Sequence, residues 1–184
     1  MNNDEIIYWD KKRKLTWDDF KGQPDAENPH AAISSVGFEF NYEYENDERK
    51  TKIKVTFKDI NVKTIFNSSI SWVRQERLNT DLVSSTLLNH EQGHFDLAYE
   101  FSLTVQQEMR DKLQDSYFSV RGKNKEQQTK SFFKERNKIT NPIIGNLRKE
   151  HVEIIQKKYE DETRRGTILS KQNEYDQRFS KLRN

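Results

Sequence analysis

A chain of 184 residues that is 32% hydrophobic and 34% charged is polar for a folded protein, yet its 11 Phe, 7 Tyr and 3 Trp supply an aromatic-rich core. Lys and Arg number 32 against 30 Asp and Glu, a net charge of +2 with both signs interspersed, which implies no strong electrostatic partner. Cysteine is absent, so disulfides, thiolate metal sites and a cysteine nucleophile are excluded too.

The opening "MNNDEIIYWD" has no signal-peptide pattern, and no stretch approaches the roughly 18 apolar residues of a membrane span. Next, "KLTWDDFKGQPDAENPHAAISS" mixes Trp17 and Phe20 with the turn formers Gly22, Pro24 and Asn28-Pro29, and reads as a structured loop. "VGFEFNYEYEN" alternates, with Phe38, Phe40, Tyr42 and Tyr44 on one side and Glu39, Asn41 and Glu43 on the other, the period of a half-buried strand. Polar "NDERK" turns the chain, and "TKIKVTFKDINV" alternates again through Ile53, Val55 and Phe57. A hairpin or meander is expected.

Thr80 is placed to cap a helix that starts at Asp81 and runs to about Leu113, with apolar residues at Leu82, Leu87, Leu97, Phe101, Val105 and Met109. The basic stretch Lys123 to Lys138, diluted by Glu and Gln, reads as the solvated face of a weaker helix rather than a nucleic-acid patch. A third helix is expected to open with Asn141 as cap and Pro142 in its first turn, to pass through Ile144, Leu147, Ile154, Ile155 and Tyr159, and to end near Gly166. A charged, helical tail follows. Strands in about 33–65 and helices in about 80–184 predict one α+β domain spanning the chain.

Two of the four histidines, His90 and His94, lie four residues apart within the first helix and flank Glu91 in an H-E-x-x-H pattern. Positions four apart differ by about 40° around a helix and by one turn along it, so both imidazoles can aim at one point. Zinc requires nitrogens at about 2.0–2.1 Å. Glu91, beside the first ligand, can reach a water held by that zinc and take its proton as the water attacks a carbonyl. Gly93 costs about 1 kcal/mol against Ala inside a helix, which signals a close approach by an aromatic ring or a substrate.

Catalytic zinc takes a third protein ligand, and "HEQGHFDLAYEF" offers no further histidine in register. If the third helix is continuous and α-helical, 100° steps place His151 and Glu162 at the centre of its buried stripe, with Glu160 nearly opposite and Asp161 to one side. Glu162 is therefore the expected ligand, with His151, Glu160 and Asp161 as alternatives, because a carboxylate on an apolar stripe needs a partner or a metal. His30 is expected to be exposed. Tyr159, one turn before Glu162, is a candidate hydrogen-bond donor to the oxyanion of a tetrahedral intermediate, although a tyrosine on an apolar helix face is more often plain core.

Three separated stretches, "LTWDDFKGQPDAENPHAA", "HEQGHFDLA" and "KKYEDETRRGT", resemble in that order the DUF922 family of bacterial predicted zinc-dependent proteases, over about Trp17 to Arg178. The resemblance implies a zincin-like α+β fold, export to the periplasm or cell surface with the leader absent from this sequence, and His90, Glu91 and His94 as site residues. Tyr159, Glu162, Thr163 and Gly166 match the later family motif. Glu160 stands where the family has Asp, and Arg165 where it commonly has His. The function expected is that of a zinc metallopeptidase acting on a peptide or protein, with Glu91 as general base and "GFEFNYEYE" or "KIKVTF" as a strand edge for the substrate. A non-catalytic zinc-binding or scaffold domain of the cell envelope is the alternative.

Overall fold

Two long antiparallel strands carry the first half of the protein, and long helices the second, giving an α+β architecture. The structure, a computed structural model, describes residues 5–47, 53–113 and 117–184. β1 (Ile6–Tyr8), β2 (Ala32–Ile33), β3 (Val36–Asp47), β4 (Ile53–Asn67) and β5 (Trp72–Val73) precede α1 (Asp81–Leu113). β6 (Tyr117–Val120), α2 (Lys125–Lys149), α3 (Lys157–Thr163) and α4 (Leu169–Arg183) follow. In the main sheet β4 lies between β1 and β3 and pairs at its other end with β6, while β2 and β5 form a separate two-stranded ribbon. β1 pairs with β4 in the register Ile7↔Phe66, and Ile53 of β4 faces Val120 of β6. The described part of "KIKVTF", from Ile53, is thus in an interior strand with partners on both sides, whereas "GFEFNYEYE" lies in β3 at the edge. Part of the "NDERK" turn, and the side chains of Tyr44, Ile53 and Val55, lie outside what is described.

Three-residue β1 falls in a segment that looked like a polar lead-in. Its one inward residue, Ile7, joins Leu15, Phe20, Ala32, Phe66, Val73 and Phe95 in a core, with Trp9, Trp17 and Leu87 packed on its margin. Burying such residues removes apolar surface from water at about 25 cal/mol per Å².

The chain forms two compact units, both discontinuous in sequence. The first comprises Met1–Glu39, Lys63–Ser102 and Val152–Asn184. Besides the core around Phe66, it holds a second cluster of Leu97, Tyr159, Tyr175 and Phe179. The other unit, Phe40–Val62 and Leu103–His151, packs α2 against β6 and buries Phe57, Val105, Met109, Leu113, Phe132 and Leu147.

α1 has the predicted limits. Thr80 caps it, its hydroxyl accepting from the Val83 amide at 3.2 Å. The later helices differ from expectation. Asn124 caps α2 by accepting from the Gln127 amide, and Pro142, expected in a first turn, sits inside α2. Asn141 therefore caps nothing. Proline removes one amide donor from a helix interior, a local loss that flanking turns can absorb.

The helix does not stop at Lys149, because a π-helical stretch, Glu150–Gln156, joins α2 to α3. Buried positions around it recur every four residues, at Ile143, Leu147, His151, Tyr159 and Thr163, with Ile155 half-buried. Four α-helical residues overshoot one turn by about 40°, so five such steps would drift about 200°. A π turn closes i→i+5 bonds and holds more residues, which takes up part of that drift. Ile154, expected in the buried stripe, is instead 62% exposed.

A buried polar clasp closes the first unit. Asp96 of α1 accepts from the Trp9 indole at 2.7 Å and from Gln92 at 3.1 Å, and pairs with Arg183 of α4. Arg183 also donates to the Arg13 carbonyl at 2.9 Å. No described helix is long and apolar enough to cross a membrane.

Removing one partner of a buried ion pair strands the other charge. Arg183→Ala should therefore lower unfolding free energy in urea by about 3–5 kcal/mol. A loss below about 1 kcal/mol would show that the clasp is not holding α4.

Candidate metal centre

His90 and His94 project from one side of α1 toward α3. Their Nε2 atoms lie 3.1 Å and 2.7 Å from the same oxygen, Oε1 of Glu160. Among the described residues these three form the group of side chains with metal-ligand chemistry, their ligand atoms all within 4.8 Å of one another. The carboxylate that meets the histidines is Glu160, not Glu162. Glu162 instead accepts from the Tyr175 hydroxyl at 2.7 Å, and Lys158 lies near its other oxygen. The expected phase assumed α-helical turns throughout, and the π stretch just before α3 shifts every later side chain around the axis. His151 is buried and Asp161 exposed, and both lie outside the group.

The far sides of both rings are fixed. Gln156 donates its amide to the His94 carbonyl at 3.1 Å, which turns its oxygen toward His94 Nδ1 at 2.5 Å. Gln172 donates to Asp176 at 2.8 Å, which turns its oxygen toward His90 Nδ1 at 3.4 Å. Thr163 also lies 3.4 Å from His90 Nδ1, but its proton goes to the Tyr159 carbonyl at 2.7 Å. Both Nδ1 atoms thus face acceptors and must carry hydrogen, so in the neutral tautomer each Nε2 presents a lone pair. Two lone pairs then confront a carboxylate oxygen. Either the rings hold extra protons or a cation joins the three atoms.

Charge effects agree with that reading. Burial works to lower the His94 pKa, but the hydrogen bond to Glu160 and the nearby Glu91 and Glu160 charges outweigh it, and the net shift is upward. For Glu160, burial works upward, while hydrogen bonds from His90 and His94 hold the carboxyl well below the usual carboxylate range. Two nitrogens and one carboxylate oxygen with braced rings are ligands that zinc accepts, and two-His-one-Glu is a known catalytic set.

Tyr159 takes the core place of its two expected ones, not that of an oxyanion donor. It is fully buried, stacks on His90 with centroids 4.8 Å apart, and donates toward the His90 carbonyl and Gln172, each at 3.1 Å. Burial drives its pKa sharply upward. A hydroxyl so enclosed cannot meet an oxyanion, so Tyr159 braces His90 from behind. It also accounts for Gly93, where a Cβ would come 2.0 Å from the Tyr159 hydroxyl oxygen.

Glu91 is buried, and among the described residues its Oε2 has no hydrogen-bond partner. It lines a cleft of ≈ 610 Å³ together with His90 and Glu160. Leu82, expected to point inward, is 76% exposed on the wall of this cleft. His30 also lines it and is half-buried rather than exposed. The loop that carries it is held by Arg74, which donates to the carbonyls of His30 at 3.1 Å and Asn28 at 2.9 Å. Sequence spacing could not reveal Gln156, Gln172 or Thr163, since nothing in their local pattern marks a histidine brace. Among known proteins, no family model, no curated protein and no solved structure matches this chain.

Gly93→Ala should destabilise the protein by about 1–3 kcal/mol by overpacking, despite alanine's better helix propensity. Tyr159→Phe in the same chain should recover part of that loss, and purely additive values in denaturant titration would contradict the contact.

In the metal-free protein the ring–carboxylate contacts have a signed pH dependence. The raised His94 contributes stability that is complete below its ordinary value of 6.5 and fades as pH climbs through the folded value. The lowered Glu160 contributes stability above its ordinary 4.5 that is lost as pH falls. Thermal unfolding of chelator-treated protein should show this contribution largest between the two, and the Glu160→Gln variant should lack it.

Proposed function

We propose that the protein is a zinc-dependent metallohydrolase of zincin-like type that acts on peptide bonds. The observation that carries this reading is the meeting of His90 Nε2, His94 Nε2 and Glu160 Oε1, with both Nδ1 atoms facing glutamine amide oxygens. The resemblance to the zinc-protease family supports it, and the family's Asp position is filled here by Glu160, also a carboxylate. In this reading His90, His94 and Glu160 hold the ion. Bound zinc supplies a Lewis acid that acidifies a water and polarises a carbonyl.

The chain's own residues do the rest. Gln156 and Gln172 orient the rings, so the imidazoles meet the ion without rotational cost. Glu91 presents a carboxylate oxygen without a partner beside the ligands. It takes the proton of the attacking water and returns it to the departing amine nitrogen. The apolar wall at Leu82, Val83 and Leu87 excludes water from the reacting bond and receives a substrate side chain.

Purified protein should bind one zinc ion per chain, lose it on Glu160→Gln, and keep it on Glu162→Gln. Glu91→Gln should retain zinc and fold while cleavage in a peptide-library digest falls by about 10²–10⁴. Zinc uptake should weaken as pH falls, because the imidazoles must shed protons to bind. Unchanged cleavage by Glu91→Gln would overturn the catalytic reading and leave a zinc-binding scaffold.

A further inference from the structure

Beside the metal ligands the chain makes an unusual turn. Arg164, Arg165 and Gly166 all have positive φ, at 43°, 60° and 78°. Glycine at the third position is required, because a Cβ there would lie 3.1 Å from His90 Cβ. Arg164 is the left-handed cap of α3, its amide donating to the Glu160 carbonyl at 2.8 Å, whereas Arg165 extends the turn in a backbone region that disfavours any side chain. Such conformations persist where the side chain they present has a use.

Arg165 lines the cleft with Glu91, Glu160 and His30. Its guanidinium lies 3.5 Å from His30 Nε2, and among the described residues it pairs with no carboxylate. Arg77 lines the same cleft, also without a described acidic partner. Glu160, the half-buried carboxylate of the cleft, is engaged by the histidines, and among the described residues neither guanidinium has an acidic partner. Much of the remaining wall is apolar, and its Leu82, Val83 and Leu169 are all exposed. A cleft that sets free guanidinium groups against exposed aliphatic side chains matches a ligand carrying an anion beside an apolar group.

From this we infer that Arg165 is the specificity-determining residue of the cleft, binding a substrate carboxylate that lies within one residue of an apolar side chain. The carboxylate is either a peptide's C-terminus or an acidic side chain, and both present the same planar pair of oxygens to the guanidinium fork. Arg77 supports it with a second positive charge. The inference rests on the metallohydrolase reading for peptides as the ligand class. Its geometry does not need the metal.

The test uses full-length Glu91→Gln protein, which cannot turn over its ligand, loaded with zinc or held metal-free by a chelator. Calorimetry compares acetyl-Ala-Ala-Leu as the free acid, the same peptide as its amide, and acetyl-Ala-Glu-Leu amide. At least one carboxylate-bearing peptide should bind about 10- to 100-fold more tightly than the neutral amide, the range of charge-assisted hydrogen bonds. Preference for the free acid identifies the terminal carboxylate, and preference for the glutamyl amide the side chain. Adding Arg165→Gln should abolish the preference and leave weak binding of the neutral amide as it was. Arg165 is exposed, so the circular dichroism spectrum and melting temperature of that variant should match the parent. Equal affinity for all three peptides, no binding by any of them, or an unaltered preference in Arg165→Gln would overturn the inference. If zinc fails to bind but the Arg165-dependent preference persists in metal-free protein, the metal reading fails alone.

Discussion

Three atoms that all want a positive partner meet at one point, and much of the first unit is arranged so that they cannot turn away. His94 is pinned through Gln156, which precedes Glu160 by one turn of the same helix. His90 is pinned through Gln172 and stacked on Tyr159. Gln172 is itself fixed by Asp176, so the brace reaches into α4. A cluster held this way pays its desolvation cost only if a cation or extra protons occupy it. This constraint links α1, α3 and α4 more specifically than their apolar contacts do, since leucine or phenylalanine packing would tolerate small rotations that the hydrogen bonds forbid.

The same constraint explains features that otherwise look like local defects. Gly93 weakens α1 but lets the Tyr159 hydroxyl reach the His90 carbonyl. The π stretch weakens the hydrogen-bond ladder before α3 but turns Glu160 toward the histidines. Positive φ at Arg164 and Arg165 ends α3 abruptly, and Gly166 then passes close against His90. Each departure from ideal geometry lies within a few residues of the cluster, where strain is most often retained.

Much of this was legible in the sequence. The capped helix Asp81–Leu113 and the spacing of His90, Glu91 and His94 followed from local rules, as did the two alternating strands. The acidic third member of the cluster, Glu160, did not, because reading it required a helical phase across a π turn, and nothing in "KEHVEIIQKK" announces i→i+5 bonding. The repeat of four in Ile143, Leu147, His151, Ile155, Tyr159 and Thr163 was the available clue, since an α-helix cannot keep such a repeat on one side for long. For Tyr159 the apolar spacing points to the core and the nearness of a candidate ligand to the substrate, and the spacing prevails, since the ring packs behind His90. β1 was too short to show a period, and the Arg74 contacts that hold the His30 loop are long-range, outside the reach of spacing arguments.

The central claim is that two Nε2 lone pairs and one Glu160 oxygen together form a cation site. Its most direct test is a zinc titration of the metal-free protein followed through the imidazole ¹⁵N resonances of its four histidines. The account predicts that one equivalent of zinc moves the Nε2 signals of His90 and His94 alone, with both rings keeping hydrogen on Nδ1. Resonances of His90 and His94 that ignore zinc, or a response at His30 or His151 in their place, would contradict it.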